Sequence, residues 1–441
     1  MNETSKQASA TSGQTIEELQ DSRVAWLRLA ASLVLMTIGG CGMYAVVVVL
    51  PSVQSEFGVD RADASMPYTL TMIGFGLGGM LMGRLADRFG VVIPIVIGAV
   101  CLGAGFVAAS LVDSIWQFAL LQGLVIGMLG SSATFAPLVA DASLWFTRRR
   151  GIAVAICASG NYLGGAVWPP IVQHLVETIG WRQAYATIGI ASTLLMLPLA
   201  MALRRRPPSQ ATLAPAGDTA AAPAPGSPRP AIAVTPNGIP GISRGALQTL
   251  LCIAGVSCCV AMSMPQVHIV AYCGDLGYGA ARGAQMLSLM LGAGIVSRLI
   301  SGVICDRIGG LRTLLLGSAL QGIALLLFLP FDSLASLYVI STLFGLFQGG
   351  IVPAYAIIVR EYFPAREAGW RAGMTLSATL LGMAVGGWIS GEIFDLTGSY
   401  DAAFINGIGW NLVNVVIVLF LLSRSRRMQA QQREHQATMP A

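Results

Sequence analysis

Long apolar runs separated by short polar connections are the dominant pattern of this chain. Each of twelve runs is about 18 to 26 residues long, which is close to the length that a helix needs to cross a bilayer. By number, the runs lie at about 26–50, 64–84, 91–111, 115–140, 151–174, 184–203, 246–271, 284–304, 313–330, 335–359, 373–393 and 402–422. We therefore predict an all-α membrane protein with twelve transmembrane helices.

A proline-rich segment divides these runs into two groups of six. Residues 204–243 contain nine of the 21 prolines among many Ala, Gly and Ser residues, a composition that does not form packed elements. We therefore expect five parts, which are a cytoplasmic N-terminal segment 1–25, a six-helix bundle 26–203, a flexible cytoplasmic linker 204–243, a second six-helix bundle 244–422 and a cytoplasmic tail 423–441.

Composition and charge support a membrane location. Charged residues make up 11% of the chain and hydrophobic residues 55%, which leaves too little polar surface for a water-soluble fold of this length. With the linker in the cytoplasm, 22 of the 26 lysines and arginines fall on the cytoplasmic side, as the positive-inside rule requires. The net charge of +5 thus reflects topology, and no nucleic-acid partner is expected. We expect a functional monomer in the bacterial inner (plasma) membrane, with both termini cytoplasmic.

The two groups of helices repeat one another in sequence. The stretch GRLADRFG at 83–90 follows the second run, and GVICDRIG at 302–309 follows the eighth. Gly180 before the sixth run likewise corresponds to Gly398 before the twelfth. Such a duplication in one orientation predicts two bundles related by pseudo-two-fold symmetry.

The doubled stretch resembles the most specific motif of the major facilitator superfamily, and the resemblance extends from Trp26 to Leu422. It implies two six-helix halves with the substrate site between them near the membrane midplane. In that family, the first-half acid of the motif closes the cytoplasmic gate by meeting cations and a helix N-terminus. The residues that this implies for the gates here are Asp87, Arg88, Arg148, Asp306, Arg307 and Arg371.

Arg298 lies near the middle of the apolar run 284–306, with no acidic residue before Asp306. A charge at that depth costs roughly 2.5–3.5 kcal/mol on insertion scales, so such residues usually mark a substrate or ion pathway. The alternative is that Arg298 extends to the cytoplasmic headgroups, because Arg307 follows only about 13 Å further along the helix.

Two further stretches resemble the monocarboxylate porters and the oxalate and formate exchangers. They are WFTRRRGIA leading to ASGNYLGG, at 145–165, and Arg298 followed by Ser301 and Gly302. In those relatives the arginine pairs with the substrate carboxylate. This chain departs from them, because Gly294 replaces an acid one turn before the arginine, the first run has no lysine, and 374–390 has no second cation.

These features predict a secondary transporter of a small organic anion. The apolar runs contain no midplane Asp or Glu, so a substrate carboxylate is the expected counter-charge of Arg298. A monocarboxylate fits one cation, carried by alternating access as proton symport or anion exchange. The alternative, a proton-coupled multidrug or metabolite exporter, predicts a buried carboxylate, and a sensor predicts a further soluble domain. We expect no enzyme activity, cofactor or metal site.

Polar residues within the runs are candidates for substrate contact or for bonds between helices. They are Tyr44, Gln122, Asn161, Tyr162, Gln266, His268, Gln348 and Tyr355. His268 is also the candidate for proton coupling because its charge can change near neutral pH, the alternative being a neutral hydrogen-bonding role. The asparagines of the last run have no role that the sequence explains.

Overall fold

The computed structural model describes residues 21–146, 149–205, 239 and 241–437. Within that part of the chain, the side chains at 150, 365, 366 and 426–437 are not described. Most of the predicted linker 204–243 and the gate candidate Arg148 therefore lie outside the described residues. The described residues form helices and short connections, with no strand.

Six spans make up the first half. The first span is broken at Gly40, and the fourth passes through a π-helix and a 3₁₀ turn. In chain order the helices are α1 Arg23–Gly39 and α2 Cys41–Phe57, α3 Arg61–Phe89, α4 Val92–Ala109, α5 Ile115–Leu120 followed by the π-helix Leu121–Gly130, the 3₁₀ turn Ser131–Thr134 and α6 Ala136–Trp145, then α7 Arg150–Ile179 and α8 Trp181–Ala202.

Six more spans make up the second half, and the tenth is broken at Gly349 and Gly350. The helices are α9 Arg244–Asp275, α10 Ala280–Ile308, α11 Gly310–Leu327, α12 Leu334–Gln348 and α13 Ile351–Tyr362, α14 Ala365–Thr397 and α15 Tyr400–Ala437. Among the described residues, twelve spans are long and apolar enough to cross a membrane, and each predicted run overlaps one of them. The predicted twelve-helix, all-α architecture is confirmed.

Glycines at matching positions show the duplication in the backbone. Gly90 and Gly309, which close the repeated motif, have the same φ of 85° and end the second and eighth spans. Gly180 and Gly398, which separate the last two spans of each half, also have positive φ, at 79° and 69°. Only glycine adopts such angles readily, so these four residues fix sharp turns at equivalent places.

The spans alternate in direction, which gives the bundle two sides. The linker side carries the start of α1, the end of α8, the start of α9 and the residues after Leu422. The loop side carries connections such as 58–60 and 276–279.

Packing explains two of the three asparagines of the last span, Asn411 and Asn414. Asn414 is fully buried and donates from Nδ2 to Ser318 Oγ of α11 at 2.7 Å. Its Oδ1 accepts from the hydroxyl of Tyr355 in α13 at 3.1 Å. Asn411 is also buried and lies against Gly322 of α11. The last span therefore contributes polar bonds to the interior of the second half.

The second and eleventh spans, α3 and α14, join the two halves along a row of residues spaced seven apart. Contacts follow this row from the loop side inward, pairing Ala62 with Gly391, Thr69 with Ala384 and Gly76 with Leu380. Gly83 is next in the row, and a Cβ placed there would meet no atom within 4 Å. The two spans thus separate toward the linker side.

The fifth and eighth spans, α7 and α10, repeat this geometry, as the pseudo-two-fold axis requires. Gly165 lies against Leu291, and the carbonyl of Ala158 accepts from Arg298. Gly151, the next residue in that row, again has open space where a Cβ would lie. The halves therefore pack together at the loop side and separate toward the linker side, which leaves a gap between them that we call the cavity.

A buried ion pair holds the first half together near the linker side. Arg28 of α1 binds Asp141 of α6 through two bonds, of 2.7 and 2.9 Å, and both side chains are 5% exposed. Its remaining amino group donates to the carbonyl of Leu203 at 2.9 Å, beyond the end of α8. The guanidinium also stacks over the Trp145 ring at 4.7 Å. One arginine thus joins three spans.

We predict that Asp141→Ala lowers the free energy of unfolding by about 3 kcal/mol or more, because it leaves a buried arginine without its counter-charge. Thermal or denaturant unfolding of the purified protein measures the change. The matched control is Glu56→Gln, which removes the partly exposed pair with Arg182 and is expected to cost at most about 1 kcal/mol. Equal losses for both variants would contradict the assignment.

Candidate substrate site and gates

Arg298 lies where the cavity ends, in contact with both halves. Its Nη1 donates to the carbonyl of Ala158 in the first half at 3.1 Å, and its Nε lies 3.5 Å from the carbonyl of Gly349 in the second. The guanidinium rests on the ring of Tyr162, 4.3 Å from the ring centroid, a favourable cation–π distance. The side chain therefore points between the halves and not to the headgroups.

Glycine at position 294 makes this arrangement possible. A Cβ on Gly294 would collide with the ring of Tyr162, so only glycine lets that ring lie against α10 one turn before Arg298. Gly294 is also the position at which this chain lacks the acid of the monocarboxylate porters. The structure has the Tyr162 ring of the other half there instead. The ring supports the guanidinium without neutralising its charge.

Tyr44 and Asn161 complete the group around Arg298. The Tyr44 hydroxyl donates to Asn161 Oδ1 at 2.8 Å, which joins the broken first span to the fifth. The ring of Tyr44 lies against Gly165, which also contacts Leu291 of the eighth span. Of the predicted substrate residues, the structure therefore brings together Tyr44, Asn161, Tyr162 and Arg298.

Other predicted substrate residues lie within the packing of one half. Gln122 and Gln348 are fully buried, and Gln266 is 8% exposed. Gln122 donates to the carbonyl of Gly42 at 2.8 Å, and Gln266 donates to Gln348 at 2.9 Å. Because these side chains bind helices of their own half, they do not line the cavity in this conformation. Their role as substrate contacts stays a prediction.

Tyr355 and His268 are likewise fully buried. Tyr355 belongs to the polar packing of the last span described above. His268 Nε2 donates to the carbonyl of Gly387 at 2.8 Å, and its Nδ1 lies 3.4 Å from the hydroxyl of Tyr400. These contacts are with α14 and α15, and the role of His268 in proton coupling stays a prediction.

Interior arginines are more numerous than the sequence indicated, and they differ in their partners. Three are less than a tenth exposed, and each is paired, Arg28 with Asp141, Arg61 with Asp275 and Arg371 with Glu367. Arg298 forms no ion pair with any described residue, and its two hydrogen bonds go to backbone carbonyls. Its positive charge is therefore uncompensated by the described part of the protein.

The predicted gate residues of the linker side lie apart in this open conformation. Asp87, Arg88, Asp306 and Arg307 are exposed, and none forms an ion pair with a described residue. Arg371 binds Glu367 on its own helix at 2.9 Å and stacks on Phe363 at 4.4 Å. Contact between Asp87 and Arg371 is thus absent in this state, and Asp87 as a gate stays a prediction for the closed one.

Two carboxylates with clear structural roles were missed from the sequence. Glu361 at the end of α13 accepts from the backbone N–H of Gly310 at 2.9 Å, where α11 begins. Asp395 accepts from the backbone N–H groups of Arg61 and Ala62, where α3 begins. Neither role can be predicted from the sequence, because a helix N-terminus can bind a carboxylate from any neighbouring segment.

Comparison with known proteins agrees with this architecture. The profile of the Major Facilitator Superfamily matches residues 32–336 and 251–439. The crystal structure of a bacterial homolog to the human lysosomal transporter Spinster, in an inward-facing and occupied conformation, has the same fold, with a TM-score of 0.67. It is 14% identical and covers 90% of this chain and 96% of that chain.

Sequence relatives are transporters, and two of them are named after different cargoes. Monocarboxylate transporter 13 of Rattus norvegicus is 27% identical over 353 residues, or 78% of this chain and 75% of that protein. The agnestins efflux protein AgnL12 of Paecilomyces divaricatus is 24% identical over 374 residues, or 83% and 80%. The MFS-type transporter pynF of Aspergillus niger is 23% identical over 346 residues, or 78% and 75%.

These sequence relatives come from fungi and a mammal, so they give no support to the predicted bacterial location. The family profile, in contrast, spans both halves of the bundle and agrees with the repeated motif and the twelve membrane spans. This chain belongs to the Major Facilitator Superfamily and is an integral membrane transporter.

Proposed function

We propose that this transporter carries a small organic monoanion, in particular a monocarboxylate, and that Arg298 binds its carboxylate. The observation that carries the proposal is the uncompensated guanidinium at the closed end of the cavity. An arginine stays charged at any cellular pH, and its planar group matches the two oxygens of a carboxylate. A bound anion would supply the counter-charge that the described protein residues do not.

A single negative charge fits the site better than two. The other three interior arginines already have carboxylate partners, so one free cation remains between the halves in the described structure. Around it lie the Tyr162 ring, the Tyr44–Asn161 pair and apolar residues such as Leu291. This mixture suits a carboxylate attached to a compact organic group with few further charges.

The bonds of Arg298 also connect binding with the movement of the halves. Its Nη1 donates to Ala158 of the first half, although Arg298 itself belongs to the second. A carboxylate that binds the guanidinium in two places would compete with this carbonyl for the same donor. Substrate binding would therefore replace a bond between the halves. In alternating access, a ligand that changes the equilibrium between the two states must make different contacts in each of them.

The relatives support the class of cargo and leave the direction open. One relative is named as a monocarboxylate transporter and another as an efflux protein. The positive-inside rule favours placing the linker side, with both termini, in the cytoplasm of a plasma membrane. In that orientation the structure presents Arg298 to the cytoplasm, a state that both uptake and export must visit.

Export of a cationic drug in exchange for protons is the less favoured alternative. That mechanism needs an acidic side chain that is free to bind a cation within the membrane. Asp141 is the most deeply buried acid among the described residues, but Arg28 already binds both of its oxygens. Export of an anionic metabolite, in contrast, is compatible with Arg298 as the binding residue.

Energy coupling through His268 remains one of two possibilities, beside simple anion exchange. In the neutral ring, Nε2 donates to Gly387 and Nδ1 can accept from Tyr400, whose hydroxyl oxygen accepts from Arg61 at 2.8 Å. Protonation would convert Nδ1 into a donor and place a second cation beside Arg61. Because Arg61 belongs to the other half, that change would weaken closure of the loop side.

We predict that Arg298→Ala reduces the affinity for monocarboxylates at least about 30-fold, since losing a desolvated charge partner costs about 2–5 kcal/mol. Arg298→Lys keeps the charge but loses the paired donors, and we expect roughly a tenfold loss. Thermal stabilisation of the purified protein by pyruvate, lactate and benzoate measures binding, with succinate and tetraphenylphosphonium for comparison.

The matched control is Arg282→Ala, which makes the same change at an exposed position of the same helix. Tyr162→Phe keeps the supporting ring and is expected to bind like wild type, whereas Tyr162→Leu is expected to bind more weakly. Stabilisation by tetraphenylphosphonium, with no response to any carboxylate, would reject the proposal in favour of a cation exporter.

For His268, we predict that His268→Gln removes the response of uptake to an inward proton gradient. Glutamine can keep one hydrogen bond in this position but cannot take up a proton. Proteoliposomes with an imposed gradient provide the measurement. If the variant accumulates carboxylate as well as wild type does, the coupling role is wrong. A wild type that ignores the gradient but responds to internal anion is an exchanger.

For the linker-side gate, we predict that Asp87→Asn slows transport at least several-fold and leaves carboxylate affinity unchanged. Asp87 is exposed at the end of α3 and far along that helix from the cavity end, so it acts on closure. Binding by thermal stabilisation and transport by proteoliposome uptake separate the two effects. A parallel loss of affinity would place Asp87 in the substrate site instead.

A further inference from the structure

Arg61 crosses from the first half to the second at the loop side. It is the first residue of α3, yet its guanidinium binds only second-half residues in the described structure. Nη1 donates to the Tyr400 hydroxyl at 2.8 Å, and Nη2 lies 3.2 Å from a carboxylate oxygen of Asp275. The guanidinium stacks over the Phe394 ring at 4.7 Å. With 8% exposure, this cation is nearly excluded from solvent.

Asp395 of the second half binds the same helix end through the backbone. Its Oδ1 accepts from the N–H of Arg61 at 2.9 Å, and its Oδ2 accepts from the N–H of Ala62 at 2.7 Å. The first N–H groups of a helix have no partner within the helix, and the helix dipole favours a carboxylate there. Asp60, at the N-cap of α3, forms no capping bond of its own. The other half therefore supplies the cap.

Small residues allow the two halves to come close enough for these bonds. A Cβ on Gly391 would lie 2.9 Å from the backbone of Ala62. One turn earlier, a Cβ on Gly387 would lie 3.0 Å from the ring of Tyr68. The polar contacts at Arg61 and this apolar contact surface thus lie on the same closed face of α3 and α14.

A second arginine on the loop side provides a contrast. Arg182 binds Glu56 with a shortest distance of 2.7 Å, and both residues belong to the first half. A rigid movement of the two halves leaves that pair intact. The same movement must break every bond of Arg61 with Asp275, Asp395 and Tyr400, because its partners move with the other half.

Nothing comparable joins the halves at the linker side within the described residues. Asp87, Arg88, Asp306 and Arg307 lie there exposed and without ion pairs to described residues. The two sides therefore differ in what must be broken for each to open. We propose that Arg61, Asp275, Asp395 and Tyr400 form a latch that holds the loop side closed and makes the linker-side-open state the resting state of the unliganded transporter.

The latch determines how large a difference in affinity for the two states a substrate needs in order to change the equilibrium between them. A ligand moves the equilibrium between the two states only by its difference in affinity for them. When the latch is intact, a substrate that arrives from the linker side finds the site already accessible. When the latch is broken, the unliganded protein populates the opposite state. The apparent affinity for a substrate that arrives from the linker side is then multiplied by the fraction of protein that is still open to that side.

Hydrogen–deuterium exchange of the full chain in lipid nanodiscs, without any ligand, tests the latch. Arg61→Gln and, separately, Asp395→Asn are compared with wild type and with Arg182→Gln, the matched control. We expect exchange at the start of α3 and the end of α14 to rise about tenfold or more, as for loss of a desolvated charged partner at an interface. At the same time, exchange at the linker-side ends of α3 and α14 should fall.

The opposite changes at the two sides are what a latch requires. Faster exchange at the loop side without slower exchange at the linker side would show local loosening and would overturn the proposal. So would a pattern equal to that of Arg182→Gln. If Arg61→Gln does not fold, Tyr400→Phe removes one hydrogen bond and keeps the ring, and a smaller change in the same two directions is expected. The test uses no substrate, so it is independent of the proposed cargo.

Discussion

The cost of placing a guanidinium in apolar surroundings determines much of this structure. An unpaired buried charge is so unfavourable that a protein must either neutralise it or use it. Arg28 is neutralised inside one half, and Arg61 is neutralised between the halves. Arg298 receives only two carbonyls and an aromatic ring. Stability and, in our proposals, closure and binding thus correspond to three ways of surrounding the same chemical group.

The fold could be predicted from the sequence because a bilayer imposes a length on every crossing. Apolar runs of that length, a duplicated motif and a proline-rich divider leave few other arrangements. The repeated motif also predicted equivalent positions for Gly90 and Gly309, and these two residues have the same backbone conformation. The breaks in the first, fourth and tenth spans fall at Gly40, Gly130 and Gly349–Gly350, but glycines also occur within unbroken helices of this chain, so the sequence alone did not locate them.

The site was only partly predictable, for a geometrical reason. Helical spacing shows which residues share a face, but not which neighbour that face will meet. The sequence therefore singled out Arg298 and Tyr162, which lie in contact, but it left open whether Tyr355 meets a substrate or, as in the structure, the last span. The ion pairs of Arg28 and Arg61 join residues 113 and 214 positions apart, and no local pattern reveals such pairs.

The cap that Asp395 provides to α3 has a consequence for water. When the halves separate at the loop side, the N–H groups of Arg61 and Ala62 lose their carboxylate and must be hydrated instead. Opening that side is therefore also an exchange of protein hydrogen bonds for solvent hydrogen bonds. The two halves repeat one another in sequence, yet the second completes a helix of the first, so the first half is not a self-sufficient folding unit at that end.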